Sequence, residues 1–283
     1  MKDTNELNVF LKRYNLDGFK RTLLKSGISN MNYALGNKYA LKIPYDSRFI
    51  NLRLYQIELQ RLAAKNFLSP NVCFYDIAHG YLVTELLTEY HPISAMDINL
   101  SQIKKIVILL KSYQKLDVGS IDIPILNYQD MLDNFRLDVN PHKRIYIQSL
   151  EQSKYLKNND VLTHFDLVNN NLLCDRNNNI QLIDFEFACF APKYFDLVSL
   201  LSENKFPTEK KKIIVDEYFG ADNEGQKDFE HCQDELHAIF DLLWYHWAMA
   251  RSHIDNKQYQ KIYLTIAEDK KASLLNYLHQ HQI

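Results

Sequence analysis

The sequence lacks the features that mark membrane, secreted and nucleic-acid-binding proteins. Its longest apolar run, residues 106–110, is far below the ~20 residues of a membrane-spanning helix. The first residues, MKDTNELNVFLKR, include acidic side chains and no long apolar stretch, unlike a secretory signal. The formal net charge is −2, and Lys and Arg form no basic patch. We therefore expect a cytoplasmic protein that neither inserts into a membrane nor binds nucleic acid.

Cysteine is also scarce. The four cysteines stand far apart with no CxxC spacing, and they are Cys73, Cys174, Cys189 and Cys232. This spacing favours reduced thiols over a disulfide framework or a zinc site. The chain has 283 residues, 46% of them hydrophobic, which is enough for one large domain or two lobes.

The most informative motif lies in residues 163–203, where Asp166 stands two residues after His164 and five before Asn171. Asp184 follows within the string IDFE. This order is typical of a kinase phosphoryl-transfer site, in which Asp166 would accept the proton of the attacking hydroxyl and His164 would hold the loop. Asp and Asn are also common in turns, but the apolar strand ending in IDFE favours the kinase interpretation.

Two apolar segments, Leu172–Cys174 and Ile180–Ile183, flank the turn DRNNN and predict a β-hairpin. The hairpin would bring Asp184 back beside Asn171. Magnesium bound to ATP takes carboxylate and amide oxygens together with phosphate oxygens and water. We therefore expect Asn171 and Asp184 to bind Mg²⁺, with ATP as the phosphate donor.

Lys42 lies in the apolar strand YALKIPY, where a lysine is unusual unless it is paired. Kinases place such a lysine on the α and β phosphates and orient it with a Glu on the next helix, which predicts Glu58 as its partner. Alone, the two residues could be an edge-strand lysine and a surface glutamate.

Two further segments are candidates for nucleotide contact. The loop SGISN, which includes Ser29, contains small residues that let backbone amides approach phosphate, although one glycine makes a weak motif. The backbone of Glu85 and Leu87 is expected to hydrogen-bond an adenine edge.

The elements change character along the chain. Residues 5–14 predict a helix, and five strand-like segments follow up to Leu87. Helices dominate from Asn99 onward: the first runs through Lys115, and others are expected at 131–138, 142–157, 208–219, 226–255 and 258–279. We predict an α+β, protein-kinase-like bilobal fold. Residues 1–88 would form a small lobe with a five-stranded antiparallel sheet, and residues 89–283 a larger, mainly helical lobe, with the active site between them.

Residues 163–203 resemble the choline kinase family, within the choline kinase and aminoglycoside phosphotransferase superfamily, and the resemblance runs over most of the chain. Glu186 stands where protein kinases have the Gly of Asp-Phe-Gly, which favours a small-molecule kinase. The family has an aromatic residue next, an Asp twelve residues after the metal Asp and a Glu seven further on, which here are Phe187, Asp196 and Glu203.

The chain departs from the family pattern at four positions. Phe187 stands where Tyr is common, which removes a hydroxyl and keeps the ring face. Phe165 replaces the usual Asn or Gly, and Ala191 and Pro192 replace polar residues. These departures affect the loop conformation, whereas the metal and base positions are intact. Asp196 is expected to anchor backbone amides of the catalytic loop.

Trp244 and Trp247, the only tryptophans, match the family's Trp-x-x-Trp pair in the choline pocket. Three residues apart on a helix, they share a face, which would also suit core residues. With Phe187 and Glu203 they would form an aromatic, singly acidic box for a quaternary ammonium group. The resemblance thus implies phosphorylation of choline. Ethanolamine, thiamine or an aminoglycoside is the alternative acceptor, and a catalytically silent nucleotide-binding protein is a further alternative.

Overall fold

The structure, a computed structural model, describes residues 5–24, 27, 30–45, 52–126, 158–253 and 257–280. The chain divides into two compact units. Unit 1 comprises Met1–Ile93, Lys115–Asp122 and Asn170–Glu186; unit 2 comprises Ser94–Gln114, Ile123–Asn169 and Phe187–Ile283. The boundary at residues 88 and 89 stays a prediction.

The strands are β1 (Arg21–Leu23), β2 (Asn30–Leu35), β3 (Tyr39–Pro44), β4 (Val72–Asp76), β5 (Tyr81–Glu85), β6 (His91–Pro92), β7 (Val161–Thr163), β8 (Leu172–Cys174), β9 (Ile180–Leu182) and β10 (Cys189–Ala191). The helices are α1 (Asn5–Arg13), α2 (Leu54–Lys65), α3 (Leu100–Gln114), α4 (Phe195–Glu203), α5 (Thr208–Phe219), α6 (Asn223–Arg251) and α7 (Lys257–Gln280).

Unit 1 is built on a five-stranded sheet of order β1-β2-β3-β5-β4. All neighbouring strands in it are antiparallel, which confirms the predicted sheet. The β2–β3 hairpin turns at Gly36, whose φ of 56° is a conformation that glycine adopts without strain. Helix α1 buries Leu7, Phe10 and Leu11, which follow helical spacing, in a core shared with β3 and β5.

A smaller sheet of order β6-β8-β9 also belongs to unit 1 and contains the predicted hairpin. Its turn is closed by Asp175, whose Oδ1 accepts hydrogen bonds from the N–H groups of Asn177 at 2.8 Å and Asn179 at 2.7 Å. Asn178 between them has a positive φ of 61°, a conformation in which asparagine is enriched. The string DRNNN therefore folds as its turn chemistry predicts.

The described residues of unit 2 are mainly helical and include the short antiparallel pair β7–β10. The start of α3 is fixed by a reciprocal cap: Asn99 Oδ1 accepts from the Gln102 N–H at 2.9 Å, and Gln102 Oε1 accepts from the Asn99 N–H at 3.0 Å. Helix α6 begins at Asn223, three residues before the predicted start, because Asp222 accepts a hydrogen bond from the Gly225 N–H.

The predicted helices 131–138 and 142–157 lie outside the described residues. Sequence patterns missed β6, β7 and β10, which are too short to show a period. In the described ranges, no helix combines the length and apolar character required to cross a bilayer.

Candidate active site

The charged centre of unit 1 is Lys42 on β3. Its Nζ lies 2.5 Å from Asp184 Oδ1 and 3.5 Å from Glu186 Oε2. Burial alone would lower the pKa of Lys42, but the charges of the two carboxylates outweigh burial and raise this pKa above its ordinary value. Lys42 is therefore a positively charged group held between two carboxylates.

Strand alternation and hairpin register explain this placement. Leu41 and Ile43 are buried in the core, so Lys42 between them projects from the opposite face of the sheet. In the β8–β9 hairpin the Ile183 N–H donates to the Asn171 carbonyl at 3.1 Å, which extends the strand pairing to the residue before Asp184. Asp184 itself has a positive φ of 68°.

The expected ion pair between Lys42 and Glu58 is not present among the described residues. Helix α2 instead turns Gln56 inward, and Gln56 Nε2 donates to the Glu186 backbone carbonyl at 3.2 Å. Gln56 is buried, whereas Glu58 two residues later is only half-buried. Residues two apart on a helix project on different sides, so the rotation of α2 excludes Glu58 from this contact.

The donor set in unit 1 fits a magnesium–nucleotide complex. Asp184 and Glu186 offer carboxylate oxygens and Asn171 an amide oxygen, which are hard ligands. In the part of the chain that the structure describes, no group of three or more His, Cys, Asp or Glu side chains could hold a metal alone. Hard oxygen donors suit Mg²⁺, which normally completes its shell with phosphate oxygens and water. Sequence reasoning had not assigned a role to Glu186.

The predicted adenine-contacting segment follows β5. The Glu85 N–H donates to the Asn71 carbonyl and the Leu86 N–H to the Lys38 carbonyl, each at 3.0 Å. The Glu85 side chain accepts from Asn71 Nδ2 at 2.9 Å. Contact of Glu85 and Leu87 with adenine stays a prediction, and Ser29 lies outside the described residues.

In unit 2, the loop that carries Asp166 is anchored by Asp196 at the start of α4. The Asp196 carboxylate accepts hydrogen bonds from the His164 N–H at 3.0 Å and the Phe165 N–H at 2.9 Å. Burial raises the pKa of Asp196 to about 7, although these backbone donors favour its charged form. Asp196 thus contacts the backbone amides that sequence analysis assigned to it. The His164 side chain is fully buried and contacts the Tyr113 ring, while Asp166 is half-buried.

Two polar residues of the α4 region hold the other end of the same loop. Ser199 Oγ accepts from the Leu167 N–H at 2.9 Å, and Asn204 Nδ2 donates to the Leu167 carbonyl at 2.8 Å. Both side chains are buried. Sequence analysis missed them, although buried Ser and Asn beside the apolar run FDLVSLL signal hydrogen-bonded polar groups.

Phe165, which stands where the family usually has Asn or Gly, has a backbone conformation that those two residues adopt more easily. Phe165 has a φ of 71°, a region that Asn and Gly tolerate and that costs other residues of order 1–3 kcal/mol. Its ring packs on Phe195, Phe240 and Trp244, with centroids 5.6, 4.9 and 6.2 Å away. Aromatic packing and the hydrogen bond to Asp196 together hold this strained conformation.

The predicted aromatic residues form one cluster in unit 2. The Phe187 ring lies 5.0 Å from Trp244 and 6.2 Å from Trp247, and the two tryptophans are 5.3 Å apart. Tyr263 of α7, which sequence analysis missed, adds a fourth ring 5.4 Å from Trp247. Both tryptophans are buried, and neither indole N–H has a hydrogen-bond partner among the described residues.

Glu203, expected as the single acid of this box, is already paired. Lys270 Nζ lies 2.5 Å from Glu203 Oε1 and 3.2 Å from Asp241 Oδ1. Among the described residues, this group therefore comprises two carboxylates and one ammonium, with His237 Nε2 3.7 Å from Asp241 Oδ2. Asp241 and Lys270 escaped sequence analysis because they lie 38 and 67 residues beyond Glu203, too far along the chain for any local spacing to link them.

Comparison with known proteins identifies the family. Residues 20–233 match the model of the phosphotransferase enzyme family (APH), which is most of the chain. The protein therefore belongs to this family and is a small-molecule phosphotransferase. A relative, the uncharacterized protein MG356 homolog from Mycoplasma pneumoniae, is 23% identical over 207 residues, covering 70% of each chain.

Solved structures show the same fold at low identity. Choline kinase LicA from Streptococcus pneumoniae has a TM-score of 0.73 at 16% identity, covering 97% of this chain and all of that one. A choline/ethanolamine kinase family protein from Mesorhizobium loti has a TM-score of 0.72 at 18% identity, covering 96% and 92%. LicA solved in complex with AMP gives 0.71 at 18% identity, covering 95% of this chain and 98% of that one. The predicted α+β, protein-kinase-like fold is confirmed.

Proposed function

We propose that the protein transfers the γ-phosphate of Mg-ATP to the hydroxyl of choline, giving phosphocholine and ADP. The observation that carries this proposal is the cluster of Phe187, Trp244 and Trp247 in the same unit as the anchored Asp166 loop. Aromatic faces attract a quaternary ammonium group, each contributing on the order of 0.5–2 kcal/mol.

On the nucleotide side, Lys42 would contact the α and β phosphates through its ammonium group. Asp184, Asn171 and Glu186 would hold Mg²⁺, which when bound supplies positive charge to the transferring phosphoryl group. The backbone at Glu85 and Leu87 would hold the adenine edge.

On the acceptor side, Asp166 would orient the choline hydroxyl and accept its proton as the oxygen attacks the γ-phosphorus. The bond from the γ-phosphorus to the bridging oxygen breaks, and ADP leaves. Asp196, Ser199 and Asn204 fix the backbone on both sides of Asp166, which limits its motion and favours one productive geometry.

The two indole N–H groups argue against a purely core role for the tryptophans. A buried donor without a partner costs about 1–3 kcal/mol, and a core would normally avoid two of them side by side. The two donors therefore set the tryptophans apart from an ordinary satisfied core. The trimethylammonium group of choline has no acceptor for them, so the choline assignment rests on the ring faces.

Alternative acceptors differ in charge. Aminoglycosides carry several ammonium groups and favour a site rich in unpaired carboxylates, whereas Glu203 and Asp241 are bound to Lys270. Choline needs aromatic faces instead, which favours it over aminoglycosides. The set of Lys42, Asp166, Asn171 and Asp184 is that of an active kinase, which disfavours a silent binding protein.

Replacement of Trp247 tests the acceptor assignment. Trp247→Leu should raise the KM for choline about 3- to 30-fold, the effect of one lost ring face, and should leave the KM for ATP within about twofold. Phe229→Leu, at a buried aromatic position of the same helix outside the cluster, is the matched control and should leave both constants unchanged. Equal effects of the two variants on choline, or a folded Trp247→Leu protein with wild-type kinetics, would contradict the assignment.

A further inference from the structure

Lys270 is bound by two carboxylates inside unit 2. Its ammonium contacts Glu203 Oε1 and Asp241 Oδ1, and the Lys270 and Glu203 side chains are each only 14% exposed and that of Asp241 only 3%. Burial would lower the pKa of Lys270, but the charges of Glu203 and Asp241 outweigh burial and raise it. Lys270 therefore remains an ammonium group at neutral pH.

The ion cluster and the aromatic cluster share helices α6 and α7. Asp241 is three residues before Trp244 on α6, so the two side chains lie on one helix face. Lys270 is seven residues, about two turns, after Tyr263 on α7, and the Tyr263 ring contacts Trp247. Helices α6 and α7 thus bring charges and rings together along one packed surface.

The ion cluster also adjoins the loop of Asp166. Asn204, the residue after Glu203, donates a hydrogen bond to the Leu167 carbonyl, and Leu167 follows Asp166 directly. Glu203 therefore lies where the end of α4 meets the proposed catalytic loop. An acceptor that contacts both Asp166 and the rings would pass close to this carboxylate.

The cluster distinguishes two kinds of substrate cation. A primary ammonium group carries three N–H donors that bind water strongly. Losing this water on binding is costly unless carboxylates or other acceptors in the site replace it. Glu203 Oε1 and Asp241 Oδ1 already accept from Lys270, and Asp241 Oδ2 lies 3.7 Å from His237 Nε2. A trimethylammonium group has no N–H donors and needs only ring faces and a nearby net negative charge, which two carboxylates and one ammonium supply.

We propose that Lys270 is a specificity-determining residue for the acceptor: its ammonium occupies Glu203 and Asp241, so that the site selects a quaternary ammonium alcohol over a primary one. This proposal rests on the proposed function. It assigns the selection to occupied carboxylates rather than to the rings alone.

The experiment measures kcat/KM with Mg-ATP for ethanolamine, N-methylethanolamine, N,N-dimethylethanolamine and choline. In the wild type, kcat/KM should rise as methyl groups replace N–H donors. Lys270→Met frees both carboxylates and should raise the ethanolamine-to-choline ratio of kcat/KM roughly 10- to 100-fold. Lys261→Met, at an exposed lysine of the same helix, is the matched control and should not change the ratio.

The double variant Lys270→Met/Asp241→Asn keeps the cluster's net charge while leaving Glu203 unpaired. It should raise the ethanolamine-to-choline ratio of kcat/KM as Lys270→Met does. Because it does not leave two unpaired carboxylates together, it tests the role of Lys270 even if the single variant does not fold. Folded variants with the wild-type ratio, or a wild type that prefers ethanolamine, would overturn the role of Lys270. A wild type that phosphorylates none of the four alcohols would instead overturn the proposed function.

Discussion

At the scale of single residues, Asp196 holds the backbone of the loop from His164, but its burial destabilises the charged carboxylate. Its carboxylate is fully buried and receives backbone N–H groups from His164 and Phe165. Burial raises its pKa to about 7, whereas an aspartate in an unfolded chain has a pKa of about 3.9. Between these values the folded protein binds a proton that the unfolded chain has released.

The free energy of unfolding should therefore fall as the pH rises from about 4 through 7, by up to about 4 kcal/mol from this group. Asp196→Asn removes the titrating group, so its unfolding free energy should depend less steeply on pH across this interval. Urea unfolding at several pH values checks this. The exposed Asp234→Asn variant should keep the wild-type slope, and an unchanged slope in Asp196→Asn would contradict the raised pKa.

Single residues also differ in how far their contacts can be predicted from the sequence. The spacing of Asp166, Asn171 and Asp184 is local, so their motif could be read directly. The partners of Lys42 could not, because α2 is rotated so that Gln56 rather than the predicted Glu58 turns inward, and Lys42 pairs with Asp184 and Glu186. The ion pairs of Glu203 likewise depend on tertiary packing of α7.

At the scale of elements, α4 acts as a clamp on the loop from His164 to Leu167. It contributes Asp196 and Ser199, and Asn204 follows at its end. The contacts lie on both sides of Asp166 in the chain. They therefore hold the backbone of the loop, and none of them is made to the Asp166 carboxylate. Ser199 and Asn204 are therefore positioning residues.

Asn204→Ala should lower kcat about 3- to 10-fold with little change in the KM for choline or ATP, since it removes one hydrogen bond to the loop. Asp166→Asn should lower kcat by about 10²–10⁴. In the Asp166→Asn background, Asn204→Ala should have almost no further effect on kcat. Steady-state kinetics of the three proteins measures this coupling.

Asn66→Ala is the matched control, because Asn66 also donates from its side-chain amide to a backbone carbonyl, at the end of α2. It should leave kcat unchanged. Fully additive effects of Asn204→Ala and Asp166→Asn would remove Asn204 from the positioning of Asp166.

Elements with strong local signals were predicted closely. The hairpin from Leu172 to Leu182 follows from its turn residues, and α5 runs from Thr208 to Phe219 as expected. Strands of two or three residues, such as β6 and β10, leave no pattern in the sequence and depend on pairing with distant segments.

At the scale of the whole molecule, the family match and the acceptor-binding candidates divide along the chain. The match to the phosphotransferase family ends at residue 233, and it includes Lys42, Asp166 and Asp184. Trp244, Trp247 and the other acceptor-side residues of α6 and α7 lie beyond it. Membership of the family therefore supports phosphoryl transfer, while the proposed acceptor depends on Phe187 and Glu203 inside the matched residues and on Trp244 and Trp247 beyond them.

The most direct test of the central claim is phosphorus NMR of reactions containing Mg-ATP and one alcohol each: choline, ethanolamine, thiamine or kanamycin. We expect phosphocholine and ADP in equal amounts with choline, and much slower product formation with the other three. Asp184→Ala should give almost no product at saturating magnesium, since it removes one of the two carboxylates, Asp184 and Glu186, that are proposed to bind Mg²⁺. Absence of phosphocholine, or faster phosphorylation of kanamycin, thiamine or ethanolamine, would contradict the account.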